Sequence, residues 1–225
     1  DAVARLAQAE RLQRALYAIA DQANTHRDLG AMLHALHGII GSLMYAENFY
    51  TVLYDPQREV VRFAYFADVA DTDVPDPEVW VPLDEIRHSM TWHLIHSGQP
   101  MMGSMEALAA EVDGPLQPAG PPSVDWLGVP LMCSDEVVGG LVVQSYSEEA
   151  RYSGQERELL TYVAQHVQTA LERREAHAEL ESRVAERTTA LRDANRVLQQ
   201  QVLERQRGER LQSALFRIAE MANAT

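Results

Sequence analysis

WLGVPLMCSDEVVGGLVVQSY, residues 126–146, is two apolar and β-branched runs separated by the polar triplet Ser134, Asp135 and Glu136. Such runs flanking a short polar turn predict a β-hairpin, with strands over 126–133 and 137–146. Gly139 and Gly140 in the second run suit close strand packing and do not form a phosphate-binding loop. The following segment, YSGQERELLTYVAQHVQTALERR (152–174), opens with Ser153-x-x-Glu156. That spacing is a capping box, in which the Ser oxygen and the Glu carboxylate satisfy amides that helix geometry leaves unpaired. From Gly154 to Arg207 there is no proline and no further glycine. A helix of that length reaches roughly 80 Å, more than a small domain can bury.

Working back toward the N-terminus, residues 49–54 and 60–66 are rich in aromatic and β-branched types, with Asp55-Pro56 starting the connection between them. They form a second hairpin. Residues 1–24 and 27–45 carry helical periodicity. The spine of the first is Leu6, Leu12, Leu16 and Ile19, with Asn24 and Thr25 as stop and new cap. Residues 79–83 suit a short strand, 85–96 a helix ended by Gly98, and 67–77 and 114–122 are loops. The apolar residues of 29–46 lie on one stripe and are interrupted by His34, His37 and small residues, so this segment is an amphipathic core helix and not a membrane span.

The chain has 225 residues, a net charge of −14, and 19 basic residues, all of them Arg. Such acidity disfavours nucleic-acid binding and direct membrane contact. The single Cys133 excludes an internal disulfide and multi-cysteine metal sites, and suits a cytoplasmic location. Residues 10–24 (ERLQRALYAIADQAN) recur as 209–223 (ERLQSALFRIAEMAN) with ten of fifteen positions identical. The expectation is therefore a tandem organisation. A signalling helix covers 1–24, a globular domain 25–172, a coiled-coil linker 173–208, and a second repeat starts at 209–225. In the linker, Val184, Leu191 and Leu198 are spaced by sevens with Ala194 between, while Arg187 and Gln201 occupy polar seam positions. Leu211, Leu215, Ile218 and Ala222 follow a new phase after Gly208.

The segments 126–146 and 152–174, with AENFYTVLYD (46–55) and FAYFADVAD (63–71), resemble a GAF domain over residues 25–172. The linker LESRVAERTTALRDANRVLQQQVLERQ (180–206) is similar to helices that join sensor and output modules in bacterial signalling proteins. The resemblance implies an α+β fold with a central antiparallel β-sheet of five or six strands and helices on both faces. The long N- and C-terminal helices would share one face, and a small-molecule pocket would lie on the other under the central helix and loops. It further implies a parallel homodimer through the terminal helices and control of a separate output domain such as a cyclic-dinucleotide enzyme (cyclic-di-GMP signalling) or a histidine kinase. The absence of Lys removes the Asn-Lys-Phe-Asp-Glu signature of cyclic-nucleotide binders. Cys133 is misplaced for a bilin, and one cysteine does not suffice for the methionine sulfoxide reductases.

Candidate pocket residues are Tyr50, Tyr65, Phe66, Trp80, Met90, His93 and Trp126, with Phe49 and Trp92 in the wider aromatic set. Aromatic walls with a few polar tips suit a small planar or amphipathic ligand. The alternative use of the same residues is to fill a ligand-free dimerisation module. His93 and His96, at i and i+3 among Met90, Met101, Met102 and Met105, raise a haem or metal sensor, but no carboxylate or cysteine is spaced to complete a site. The acidic run Asp68, Asp71, Asp73, Asp76 and Glu78 lacks calcium-loop spacing and suits a solvated loop over the pocket, with Asp68 and Asp71 as polar contacts. No nucleophile–base constellation is present, so the chain is expected to be non-enzymatic with an unidentified small-molecule ligand.

Overall fold

The computed structural model describes residues 2–25, 28–117 and 119–223, with side chains placed for 9–210 of these and for 212 and 213. Two compact units divide the chain, Asp1–Glu172 and Arg173–Thr225. The first contains α1 (Ala2–Thr25), α2 (Leu29–Gly41), β1 (Asn48–Asp55), β2 (Val60–Ala67), β3 (Val81–Pro82), α3 (Met90–Ser97), β4 (Met101–Gly103), α4 (Met105–Glu111), β5 (Asp125–Cys133) and β6 (Glu136–Ser145). The helix α5 (Gly154–Asn223) starts in this unit. The strands form one six-stranded sheet of order β3-β2-β1-β6-β5-β4, and every pair is antiparallel.

Both predicted hairpins form, and their partner strands β1 and β6 pair at the centre of the sheet. Gly139 explains how closely they pack. A Cβ there would lie 2.2 Å from the Val52 carbonyl oxygen, and its φ of 157° is one that side chains avoid. One face of the sheet carries Phe49, Leu53, Leu127, Val129, Leu131, Leu141 and Val143 against Ile19 and Ala23 of α1, Leu33, Leu36 and Ile40 of α2, and Leu160, Val163 and Val167 of α5. α3 covers the opposite face, so helices lie on both sides, as the sequence predicts.

Several local expectations are revised. The cap of α2 is Asp28, whose carboxylate accepts from the Ala31 amide at 2.7 Å, rather than Thr25. The buried stripe of α1 is Ala15, Ile19 and Ala23, spaced by four, with Leu16 half-buried and Leu12 exposed. The side chain of Leu6 lies outside the described residues. The segment 85–96 is not one helix. A 3-10 turn covers Leu83–Ile86, His88 turns the chain at φ 64°, and Ser89 starts α3 by accepting from the Trp92 amide. Gly98 ends α3 in the left-handed conformation, as expected. Of residues 79–83 only Val81 and Pro82 pair with β2, because Val79 closes a turn onto the Asp76 carbonyl. β4 and α4 have no counterpart in the sequence reading.

At the start of α5 the Glu156 carboxylate accepts from the Ser153 amide at 2.6 Å, which is one arm of the predicted capping box. Within the second unit, Leu180, Val184, Leu191, Leu198 and Val202 are exposed, Leu191 by 70%. The helix runs through Gly208 without interruption. The side chains of Leu211, Leu215, Ile218 and Ala222 lie outside the described residues. No helix among the described residues is long and apolar enough to cross a membrane.

Candidate functional site

The face under α3 is built row by row from strand register. Its central row is Met101, Gly128, Val142, Tyr50 and Phe66. On one side lies Gly103, Trp126, Gln144 and Asn48, and on the other Pro130, Gly140, Val52 and Phe63. A bulge in β2 decides which aromatics enter. Thr51 pairs with Tyr65, but Val52 pairs with Phe63, so Ala64 is an extra residue. Phe63 and Phe66 therefore share a face with Tyr50, at ring-centroid distances of 5.7 and 5.9 Å from it. Simple alternation separates Phe63 from Phe66, and the sequence reading missed Phe63.

Of the predicted residues, Tyr50, Met90 and Trp126 are buried together here, with half-buried Phe66 packed against them. Tyr65 is not with them. It points to the helix face, where it meets Phe49 and His37. Trp80 is also elsewhere. It lies 36% exposed at the β3 end, with the Arg62 guanidinium 5.2 Å from its ring. His93 is 6% exposed and its Nε2 donates to the Pro115 carbonyl at 3.4 Å, which pins the loop after α4 to α3. His96 is exposed, stacked on Trp92 at 3.7 Å, with its Nδ1 on the Trp92 carbonyl. The two histidines thus diverge. Among the described residues no three His, Cys, Asp or Glu side chains converge on a common point.

Glycine makes the seat for α3. A Cβ on Gly140 would lie 2.7 Å from Leu94 Cδ2, and one on Gly128 would overlap the Trp126 ring. The polar tips follow. The Tyr50 hydroxyl and Thr91 Oγ1 are 2.9 Å apart, and both are buried. Burial pushes the Tyr50 phenol up to about 12, although hydrogen bonds with Thr91 and Trp126 oppose the shift. At the Asn48 end, Asp68 Oδ2 accepts from Gln144 Nε2 at 2.7 Å and from the Tyr146 hydroxyl at 3.0 Å. Its Oδ1 accepts from the amides of Ala70 and Asp71. Desolvation, and then the bond to Asp68, raise the Tyr146 phenol. Asp68 is thereby saturated by the protein and anchors the loop it begins. Asn48 Oδ1 adds a bond from the Val69 amide. The opposite loop is fastened by the Gln117 amide to the His88 carbonyl, and Gly120 approaches the Asp71 carboxylate. Two loops and α3 therefore roof an aromatic and thioether-lined face whose polar groups are hydroxyl, amide, indole, imidazole and carboxylate.

A six-stranded antiparallel sheet with α1, α2 and the start of α5 on one face and a roofed aromatic face on the other defines an α+β domain. The sequence profile of the GAF domain matches residues 26–172, and the chain belongs to that family, known as small-molecule sensory domains in signalling proteins. Among solved structures it is similar to the GAF domain of an Acinetobacter phosphoenolpyruvate-protein phosphotransferase, at 16% identity and TM-score 0.59, covering 73% of this chain and 95% of that one. The GAF domain of the Coxiella burnetii phosphoenolpyruvate-protein phosphotransferase gives 15%, 0.59, 77% and 98%. The free methionine-R-sulfoxide reductase of Neisseria meningitidis, solved with its substrate, gives 15%, 0.56, 73% and 90%. At these identities the likeness carries the fold. No curated protein matches the chain.

Proposed function

We propose that this GAF domain is a non-enzymatic sensor of the bacterial cytosol. It binds a small planar or amphipathic molecule on the Tyr50–Phe63–Phe66–Trp126 face and relays occupancy along α5 to a separate output domain, such as a cyclic-dinucleotide enzyme or histidine kinase. The observation that carries this reading is the roof. Two loops close an aromatic face through side-chain and loop hydrogen bonds that are not rungs of the sheet ladder, so a ligand can reorganise them without breaking the sheet. The relay rests on the exposed Leu180, Val184, Leu191 and Leu198, an apolar heptad seam suited to a parallel homodimer. Two packed registers of such a seam differ by only a few kcal/mol, so modest binding energy biases them.

A small-molecule screen by thermal shift tests the binding. At least one compound raises the melting temperature of the wild type and fails to raise that of Phe66→Ala. Sedimentation tests the relay module. Replacing Val184, Leu191 and Leu198 together with serine turns a dimer into a monomer, and an unchanged sedimentation coefficient removes the relay. The mutual contacts of Tyr50, Phe63 and Phe66, at 5.7, 5.9 and 6.2 Å, favour one other reading, a dimerisation module whose face is filled by its own aromatics. A screen without any shift selects it.

A further inference from the structure

On the opposite face of the sheet, where the Thr51–Tyr65 pair adjoins the Tyr50–Phe66 pair in register, His34 and His37 of α2 both aim Nδ1 at one phenol. The His37 Nδ1 lies 2.9 Å from the Tyr65 hydroxyl oxygen, and the His34 Nδ1 lies 3.3 Å from the same atom. The tautomer of His37 is set by its other nitrogen. Nε2 is 2.6 Å from the Ala46 carbonyl, so it carries the hydrogen, and Nδ1 of the neutral ring presents a lone pair to Tyr65. The ring is also held flat on Phe49, at 5.1 Å and 20°. Donation of the distal N–H to a backbone carbonyl is the arrangement that orients metal-bound imidazoles and raises their basicity. Three N and O donors thus converge from a helix and the strand beneath it. His34 is exposed, which leaves a side open to solvent for water to complete a coordination shell.

We propose that His34, His37 and Tyr65 form a binding site for a borderline divalent transition cation of the zinc or copper class. Donor spacing supports it. Bonds of about 2.0–2.1 Å place neighbouring donors about 3.3 Å apart in a tetrahedral shell and about 2.9 Å apart in a square one. The two separations to the Tyr65 oxygen are 3.3 and 2.9 Å. Insertion of the cation replaces the hydrogen bonds at the phenol oxygen, and the phenol proton leaves to solvent, so uptake strengthens as pH rises. The donor set of imidazole nitrogen and phenolate oxygen suits these cations better than calcium or magnesium, which take oxygen ligands. Bound metal would clamp α2 to β2. The site is separate from the small-molecule face and stands or falls independently of the sensor reading.

The test titrates the 225-residue chain with Cu2+ alone and with Zn2+ alone, following heat and, for copper, absorption. The expected result is one tight equivalent together with a phenolate-to-copper charge-transfer band. Tyr65→Phe abolishes the band, and His34→Ala, at an exposed position, weakens binding at least tenfold with an unchanged circular dichroism spectrum. His96→Ala and His177→Ala, made as controls at exposed histidines, leave both readouts as in the wild type. No saturable uptake, or uptake and absorption indifferent to Tyr65→Phe and His34→Ala, overturns the proposal.

Discussion

Gly128→Ala adds a single methyl to β5, and the structure sets its cost. The added Cβ would lie 2.2 Å from Trp126 Cη2, 2.5 Å from Cζ3 and 3.1 Å from Leu94 Cδ2. Ordinary carbon contacts are about 3.5–4.0 Å, so the indole has to move by more than about 1 Å. It is 2% exposed and packed with Tyr50 and with Met90 and Leu94 of α3, so moving it displaces those neighbours. Overpacking of this kind costs about 1–3 kcal/mol. Displacing the indole also disturbs the Tyr50 ring buried in the same cluster, which places the expected cost in the upper half of that range. For a chain of this size the melting temperature then falls by about 4–10 °C. Thermal and urea unfolding of the wild type, Gly128→Ala, Trp126→Phe and the double variant give the coupling. The penalty of the added methyl shrinks by about 1 kcal/mol or more when the indole is gone. An unchanged melting temperature, or a penalty equal in both backgrounds, refutes the view that the Gly128 backbone is the floor on which Trp126 lies.

The same chemical change at Gly38 has the opposite sign. This exposed position in α2 has nothing within 4 Å of an added Cβ, so Gly38→Ala stabilises by about 0.5–1 kcal/mol, read as a raised urea midpoint. Asp28→Ala removes the carboxylate that caps α2 and lowers stability by about 1 kcal/mol, read as a lowered urea midpoint. Tyr50 makes the fold sensitive to alkali. Its phenol ionises near 10 when unfolded and at about 12 when folded, so the native state holds the extra proton between these values and stability falls as pH rises through that window. The two-unit difference amounts to about 3 kcal/mol, and Tyr50→Phe flattens the pH dependence of the urea midpoint between pH 10 and 12. Tyr146 and Tyr152 are shifted the same way, so a residual slope persists in that variant.

Elements that depend on local pattern were legible in the chain. Strands β1, β2, β5 and β6 lie within a residue or two of the segments read from alternation and turn residues, and Ser153 with Glu156 marks the start of α5. Features that exist only through pairing were not. Met101–Gly103 is three residues long and becomes a strand because Gly128, Leu127 and Trp126 offer it an edge. The bulge at Ala64 depends on the register between β1 and β2, and it brings Phe63 beside Phe66, while ordinary alternation sends Tyr65 to the opposite face. Trp80 reads as a pocket aromatic until Arg62 is seen against its ring at the sheet edge. The break at His88 hides within an apolar helical pattern, although Ser89 before Met90 is the capping signal that marks the true start of α3. Asp68 was legible as a polar group near the ligand face, but its saturation by Gln144, Tyr146 and two amides was not, since it joins residues 76 and 78 positions apart.

A sensor of this kind holds a ligand under α3 and dimerises through α5. Native mass spectrometry of the purified chain, recorded before and after incubation with a bacterial metabolite extract, reads both at once. The expected result is a dimer that carries additional small-molecule mass, with the added mass lost in Phe66→Ala and the dimer lost when Val184, Leu191 and Leu198 are serine. A bare monomer under both conditions contradicts it.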